Sequence, residues 1–143
     1  MRPFRIQVQL VYPHSIAPFK KYEDDAGFDL FAAKSYYIAP GNTVKLDCGI
    51  KIAIPKGWHG HIVPRSSWRQ KGLLCQSIYD TGYRGLVQPF ITNVSNEPMN
   101  IEENERVVQL VPIPTPIINL VEVVEELPEH PRGEGGAGST GRF

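Results

Sequence analysis

Apolar and polar residues alternate along much of this chain with the period of β-strands. Ile6, Val8 and Leu10 alternate with Gln7 and Gln9, which predicts a half-buried strand closed by Tyr12-Pro13. The strongest run is Val44, Leu46, Cys48, Ile50, Ile52 and Ile54, apolar at every second position, with Gly49 as the place for a bend. Shorter strands are predicted near Tyr36 to Ile38, before the turn Pro40-Gly41-Asn42, and from Trp58 to Val63, after the turn Pro55-Lys56-Gly57. Further runs at Val87 to Asn93, Val107 to Ile113 and Ile117 to Val124 are each bounded by Pro, Gly or Asn. The only plausible helix lies within Pro64 to Gly72, with Ser66 or Ser67 as its N-cap and Gly72 as its stop. Many short strands and no long helical period predict an all-β fold, a sandwich or barrel.

Two stretches break the pattern. Ile117-Ile118-Asn119-Leu120-Val121-Glu122-Val123-Val124 is apolar on both faces, which fits burial against another subunit and equally fits a central strand of the same sandwich. Beyond Pro128 the chain turns glycine-rich. Residues 128–143 therefore form a C-terminal arm separate from the body at 1–127, and glycine there can bring successive N–H groups onto an anion.

Composition narrows the function. A chain of 143 residues makes one domain that buries roughly two-thirds of its unfolded surface. Lysine plus arginine equal aspartate plus glutamate at 15 each, so no global field favours duplex nucleic acid or an anionic membrane. Any polyanionic ligand must meet a local cluster. Cys48 and Cys75 have no metal or disulfide-framework spacing, and Met1-Arg2-Pro3-Phe4-Arg5 lacks an apolar leader core. The expectation is a soluble cytoplasmic protein, with the nucleus open in a eukaryotic or viral setting.

Candidate chemistry concentrates at Ser77-Ile78-Tyr79-Asp80-Thr81-Gly82-Tyr83-Arg84-Gly85. Asp-Thr-Gly-Tyr between apolar runs reads as the tip of a β-hairpin, Gly82 supplying a positive φ, with Asp80 and Tyr83 presented to one cavity. The plainer alternative is an aspartate that caps its own turn. His59-x-His61 would put two imidazoles on one strand face without a third ligand, and Lys20-Lys21 beside Glu23-Asp24-Asp25 reads as a solvated loop.

Five stretches in order resemble the five motifs of the trimeric dUTPases: Asp25-Ala26-Gly27-Phe28-Asp29-Leu30, Pro64-Arg65-Ser66-Ser67, Ile78 to Gly85, Glu105-Arg106-Val107-Val108-Gln109-Leu110, and Arg132 to Gly141. The resemblance implies a jelly-roll-like subunit, a homotrimer with active sites at subunit contacts, and Mg²⁺-dependent hydrolysis of dUTP to dUMP and pyrophosphate. It implies that Asp80 deprotonates the water attacking the α-phosphorus and that Asp29 reaches Mg²⁺ through water. Ser66 and Ser67 would meet phosphate at the start of the short helix, with Gln109 near it, and Arg65 would brace the site by pairing with a carboxylate. Arg106 could equally be a structural ion pair at a subunit contact and is not counted among the catalytic residues. Ser77 and Ile78 belong to the arm whose backbone pairs with uracil, and Tyr83 lies under the deoxyribose, where it refuses a 2′-hydroxyl. Arg132, Gly136, Ala137, Gly138, Ser139 and Thr140 belong to the arm that closes over the nucleotide.

Three residues depart from the family pattern. Ser67 and Ser77 stand in place of glycine, and Ala137 stands where the family has a phenylalanine that stacks on uracil. Phe143 and Trp68 are candidate substitutes. A related dCTP deaminase, or a bifunctional enzyme, would carry a glutamate ten residues after the aspartate, where this chain has Phe90. A non-catalytic nucleotide-binding homologue is the remaining alternative.

Overall fold

The computed structural model describes residues 4–143, so the leader reading at Met1 to Pro3 falls outside the described residues. Among the described residues, eleven short strands and one helical turn make up the body. In chain order they are β1 (Gln7–Leu10), β2 (Phe28–Phe31), β3 (Tyr36–Ile38), β4 (Thr43–Lys45), β5 (Ile50–Ala53), β6 (Trp58–Pro64), α1 (Ser66–Gln70), β7 (Leu73–Leu74), β8 (Ser77–Tyr79), β9 (Phe90–Asn93), β10 (Met99–Ile101) and β11 (Arg106–Pro114). They join as a four-stranded sheet β2-β11-β6-β8, a three-stranded sheet β4-β9-β7 and the pairs β1-β5 and β3-β10, enclosing one apolar core. This is the expected jelly-roll-like sandwich. Among the described residues no helix is long and apolar enough to cross a membrane.

The alternating run from Val44 to Ile54 holds its face throughout. Leu46, Cys48, Ile50, Ile52 and Ile54 are all buried. Its hydrogen-bond partners change midway, because Gly49 adopts φ +68° and breaks the run into β4, paired with β9, and β5, paired with β1. Asp47 fixes the break: its carboxylate accepts from the Gly49 N–H at 2.7 Å and from the Tyr12 hydroxyl at 2.6 Å. That hydrogen bond raises the Tyr12 pKa, and burial raises that of Tyr36, whose hydroxyl receives the Asp47 N–H. Burial likewise pushes the Cys48 thiol up, and that of Cys75 to about 11; both thiols are unpaired.

Strand β11 is the hub that positions the site. It pairs antiparallel with β2, setting Gln109 opposite Asp29, and with β6, setting Val108 opposite Pro64. The register slips between Arg106 and Val108. In a regular strand neighbouring side chains point to opposite faces, whereas here Val107 and Val108 are both fully buried. The bulge turns Gln109 away from the core and toward Asp29.

Five expectations change. The N-cap of α1 is Arg65, with no side-chain cap, because the Arg65 N–H is still bonded to the Val107 carbonyl at 2.9 Å and is held extended as a continuation of β6. The turn after β8 does not join the arms of a hairpin: β8 pairs with β6, while Leu86 bridges to Lys51 and Val87 bonds to Ile50. Gly82 is not among the residues with positive φ, since a turn closed by the Tyr83 N–H on the Asp80 carbonyl at 3.1 Å does not require it. Finally, the run Ile117 to Val124 is neither a strand nor central: no strand among the described residues pairs with it, and Ile117, Ile118, Leu120, Val121 and Val123 are 68–93 % exposed. Val8 and Leu10 of β1 are exposed as well, so neither face of that strand is buried within one chain.

Candidate active site

Asp29 is the centre of the first cluster. Its Oδ2 accepts from Arg106 Nη1 and its Oδ1 forms an ion pair with Arg65 Nε, each at 3.2 Å, and Arg65 donates to the Arg106 carbonyl at 3.4 Å. The motifs that carry these residues meet because β11 lies beside both β2 and β6. Gln109 donates to the Pro64 carbonyl at 3.4 Å and lies directly over Gly27, where any Cβ would collide with its amide.

These side chains line a cleft of about 420 Å³ whose walls carry Lys20, Lys21, Arg65 and Arg106 against Asp25 and Asp29. Four cations against two carboxylates suit a polyanion. The solvated loop expected at Lys20 and Lys21 is thus part of the cleft wall. Both lysines reach it because Phe19 forms a two-hydrogen-bond bridge to Asp29, which folds the loop over β2. Their adjacency to the first motif was the only signal in the sequence.

Ser66 and Ser67 sit at the first two positions of α1, exposed, beside Arg65. Ser77 and Ile78 lie on β8, opposite Ile62 and His61 of β6.

Asp80 follows them at an exposed turn, where its carboxylate has no hydrogen-bond or ion-pair partner among the described residues. It lines a second cleft, of about 580 Å³, with Lys56, Trp58, His59, Ile78 and Thr81. This cleft shares no lining residue with the one at Asp29.

Tyr83 stands at the far side of the turn. Its hydroxyl donates to the Leu86 carbonyl at 2.8 Å and its ring meets Tyr79 edge-on at 5.4 Å. Gly85 lies under that ring: a Cβ there would come within 2.7 Å of Cζ. The ring is thereby a fixed wall. Burial pushes the Tyr79 hydroxyl behind it up to about 12, so it stays protonated at neutral pH.

The arm carries Gly136, Ala137, Gly138, Ser139 and Thr140 on exposed backbone turns, with Gly133 and Gly138 at positive φ. Arg132 Nε donates to the Gly135 carbonyl at 2.7 Å. Beyond Thr115, which bonds to Gly57, the hydrogen bonds among the described residues run only within the arm itself. Within one chain, then, the arm, the Asp29 cleft and the Asp80 turn stand apart.

Trp68 is 5 % exposed and packs in the core, which removes it as a ring to stack on a base, whereas Phe143 is fully exposed. The His59 and His61 rings face each other at 5.0 Å with His59 Nδ1 on the Thr115 hydroxyl, and no group of three or more metal-binding side chains occurs among the described residues. Phe90, at the position where a deaminase carries glutamate, is an exposed residue of β9 and offers no proton.

The donor set at Asp29 agrees with a divalent cation held through water. One carboxylate oxygen accepts from Arg106 and the other is ion-paired with Arg65, which leaves lone pairs enough for a bound water but not for a protein cage. Mg²⁺ keeps several waters and takes the rest of its ligands from substrate phosphates.

Residues 14–141 match the sequence profile of the dUTPase family. A deoxyuridine 5′-triphosphate nucleotidohydrolase of Escherichia phage T5 is 37 % identical over 146 aligned positions, covering 95 % of this chain and 98 % of the relative. Among solved structures, a point mutant of the Staphylococcus bacteriophage 80alpha dUTPase with dUpNHpp superimposes with a TM-score of 0.82 at 27 % identity, covering 96 % of this chain and 99 % of that one. A point mutant of the dUTPase from phage phi11 of S. aureus, which coordinates a structural Mg(II) ion, shares the fold with a TM-score of 0.78 at 24 % identity over 85 % of this chain and 97 % of that one.

Proposed function

The chain belongs to the dUTPase family, and we infer that it hydrolyses dUTP to dUMP and pyrophosphate. The observation that carries this is the family match across residues 14–141, with an unpaired carboxylate at Asp80 in the third motif. Asp80 takes a proton from water as the water oxygen bonds to the α-phosphorus; the bond from that phosphorus to the α,β-bridging oxygen breaks, and pyrophosphate leaves with the electron pair. A carboxylate held at an exposed turn with no internal partner is free to accept that proton.

The triphosphate lies toward the cationic cleft of Lys20, Lys21, Arg65 and Arg106, with Gln109 and the Ser66 and Ser67 hydroxyls at its edge. Asp29 serves twice: it neutralises and aligns the two arginines, and through water it would hold Mg²⁺, which when bound would supply charge withdrawal at the phosphates. The β8 backbone at Ser77 and Ile78 meets the uracil edge. Tyr83, pinned by Leu86 and Gly85, bounds the deoxyribose, and a rigid ring rejects a 2′-hydroxyl better than a mobile one.

The active site is shared between subunits of a homotrimer. Support comes from the two clefts that have no residue in common, the exposed position of Asp80 and the bare apolar run Ile117 to Val124. Each such side chain yields about 1.5–3 kcal/mol when buried, so a run of five has a strong drive to find a partner. Complementation tests this directly. Chains carrying D80N and chains carrying D29N, each nearly inactive alone, are expected to recover about a quarter of wild-type sites when refolded together, because sites drawing each aspartate from a different chain are then restored at random. No recovery, with mixed trimers demonstrated, would place both aspartates in one chain's site.

The arm at 128–143 closes over the bound nucleotide, Arg132 and the backbone of Gly136 to Gly138 meeting phosphate with Ser139 and Thr140. Ala137 leaves the uracil face without a ring. Ala137→Phe is expected to lower KM for dUTP by about five- to tenfold with kcat nearly unchanged, the worth of one stacking contact. An unchanged KM in steady-state assays would mean that Phe143 or another ring already covers the base.

A further inference from the structure

Taking Asp80 as the base, we propose that Thr81 and Arg84 are positioning residues that aim it, by tying its turn to the opposite wall of its own cleft. The Asp80 side chain has no partner among the described residues that orients it, so its direction is set by the backbone of residues 80–83. That backbone is strapped on both sides. Inward, the Thr81 hydroxyl donates to the Ile54 carbonyl at 2.7 Å. Ile54 closes the β5 end of the turn that leads through Lys56 and Gly57 into Trp58, and these three residues face Asp80 across the cleft. The bond therefore fixes the width of the cleft as well as the pitch of the turn.

Outward, Arg84 Nη1 donates to the Thr81 carbonyl at 2.7 Å and to the Tyr83 carbonyl at 3.0 Å. With the Tyr83 N–H on the Asp80 carbonyl, the turn is held at the Asp80, Thr81 and Tyr83 carbonyls. Two features mark this as more than ordinary turn chemistry. Gly82 has no neighbour among the described residues within 4 Å of where a side chain would be, so no other part of the described chain braces the turn at that point. The flanking strands diverge, β8 to β6 and Val87 to Ile50, so no ladder spans the turn either. Beside the Tyr83 ring, which holds the far end of the turn on Leu86 and Tyr79, the straps from Thr81 and Arg84 are what fix the Asp80 end. General-base catalysis requires the carboxylate within hydrogen-bond reach of the attacking water, and a shift of about 1 Å at the base is costly in rate.

The test compares Thr81→Val, nearly isosteric but unable to donate, with Thr81→Ser, which keeps the hydroxyl, and with Arg84→Met. Steady-state pyrophosphate release from dUTP, the Kd of the non-hydrolysable dUpNHpp and the melting temperature are measured for each, beside wild type and D80N. Expected are a fall in kcat of about tenfold or more for Thr81→Val and Arg84→Met, with KM and Kd within about twofold of wild type, and a Thr81→Ser enzyme within about threefold of wild type. Arg84→Met gives the same reading from the exposed side of the turn should Thr81→Val melt early. Wild-type kcat in both Thr81→Val and Arg84→Met, or a Thr81→Ser enzyme as slow as Thr81→Val, would overturn the proposal. Loss of activity in D80N with full activity in the strap variants would leave Asp80 as the base and remove only its positioning.

Discussion

Replacement of Asp80 by asparagine is expected to lower kcat by about a thousandfold, within the 10²–10⁴ range that general-base catalysis contributes, while nucleotide binding and stability hardly change. The expected separation follows from the surroundings. The side chain is exposed and has no internal partner, so the amide breaks no hydrogen bond or ion pair, and surface substitutions of that kind stay within about 0.5 kcal/mol. What the proposed mechanism loses is its proton acceptor. Pyrophosphate release, calorimetric binding of dUpNHpp and thermal melting on one preparation read the three effects separately. A D80N enzyme retaining a tenth of wild-type kcat would remove Asp80 from the chemistry.

The second large effect belongs to Asp29. Asp29→Asn withdraws the counter-charge from two guanidinium groups at once, with the aspartate 19 % and the arginines 33 % and 36 % exposed. That exposure lets the arginines regain some water. A loss of ~2 kcal/mol is therefore expected, below the 3–5 kcal/mol typical of a fully buried pair, and a drop in melting temperature of about 6 °C goes with it. The functional loss expected from the proposed site is larger, about a hundredfold in kcat/KM, because Arg65 and Arg106 would lose their alignment toward phosphate and a water-held Mg²⁺ would lose an anchor. Activity against Mg²⁺ concentration separates the roles. A half-saturating concentration shifted upward and partial recovery in excess Mg²⁺ are expected; a lowered melting temperature with an unshifted Mg²⁺ curve would reduce Asp29 to a structural brace.

Local chemistry was legible in the sequence and long-range pairing was not. The buried face of Leu46 to Ile54 and the break at Gly49 both follow from period and a single glycine, because each depends on neighbours in the chain. The turn at Asp80 was legible as a turn. That its arms belong to different strands was not, since β6 and β5 lie well away in the chain from the residues that pair with them. The bulge at Val107-Val108 is equally silent: two adjacent valines read as strand whether or not both face inward. Ile117 to Val124 misled in the other direction, its β-branched composition predicting a strand that finds no partner among the described residues. At the site, Asp29, Arg65 and Gln109 could be named as candidates from the motifs, and Arg106 only as a structural ion pair. Their convergence, and the recruitment of Lys20 and Lys21 beside them, required the β2-β11-β6 register and the Phe19 bridge.

The most direct measurement is product formation by the wild-type protein with dUTP, dCTP, dTTP and UTP side by side, with Mg²⁺ and with chelator. One pyrophosphate and one dUMP per dUTP consumed, dependent on Mg²⁺ and at least about a hundredfold slower with the other three nucleotides, is the predicted result. Ammonia released from dCTP, or dUTP bound and returned intact, would contradict it.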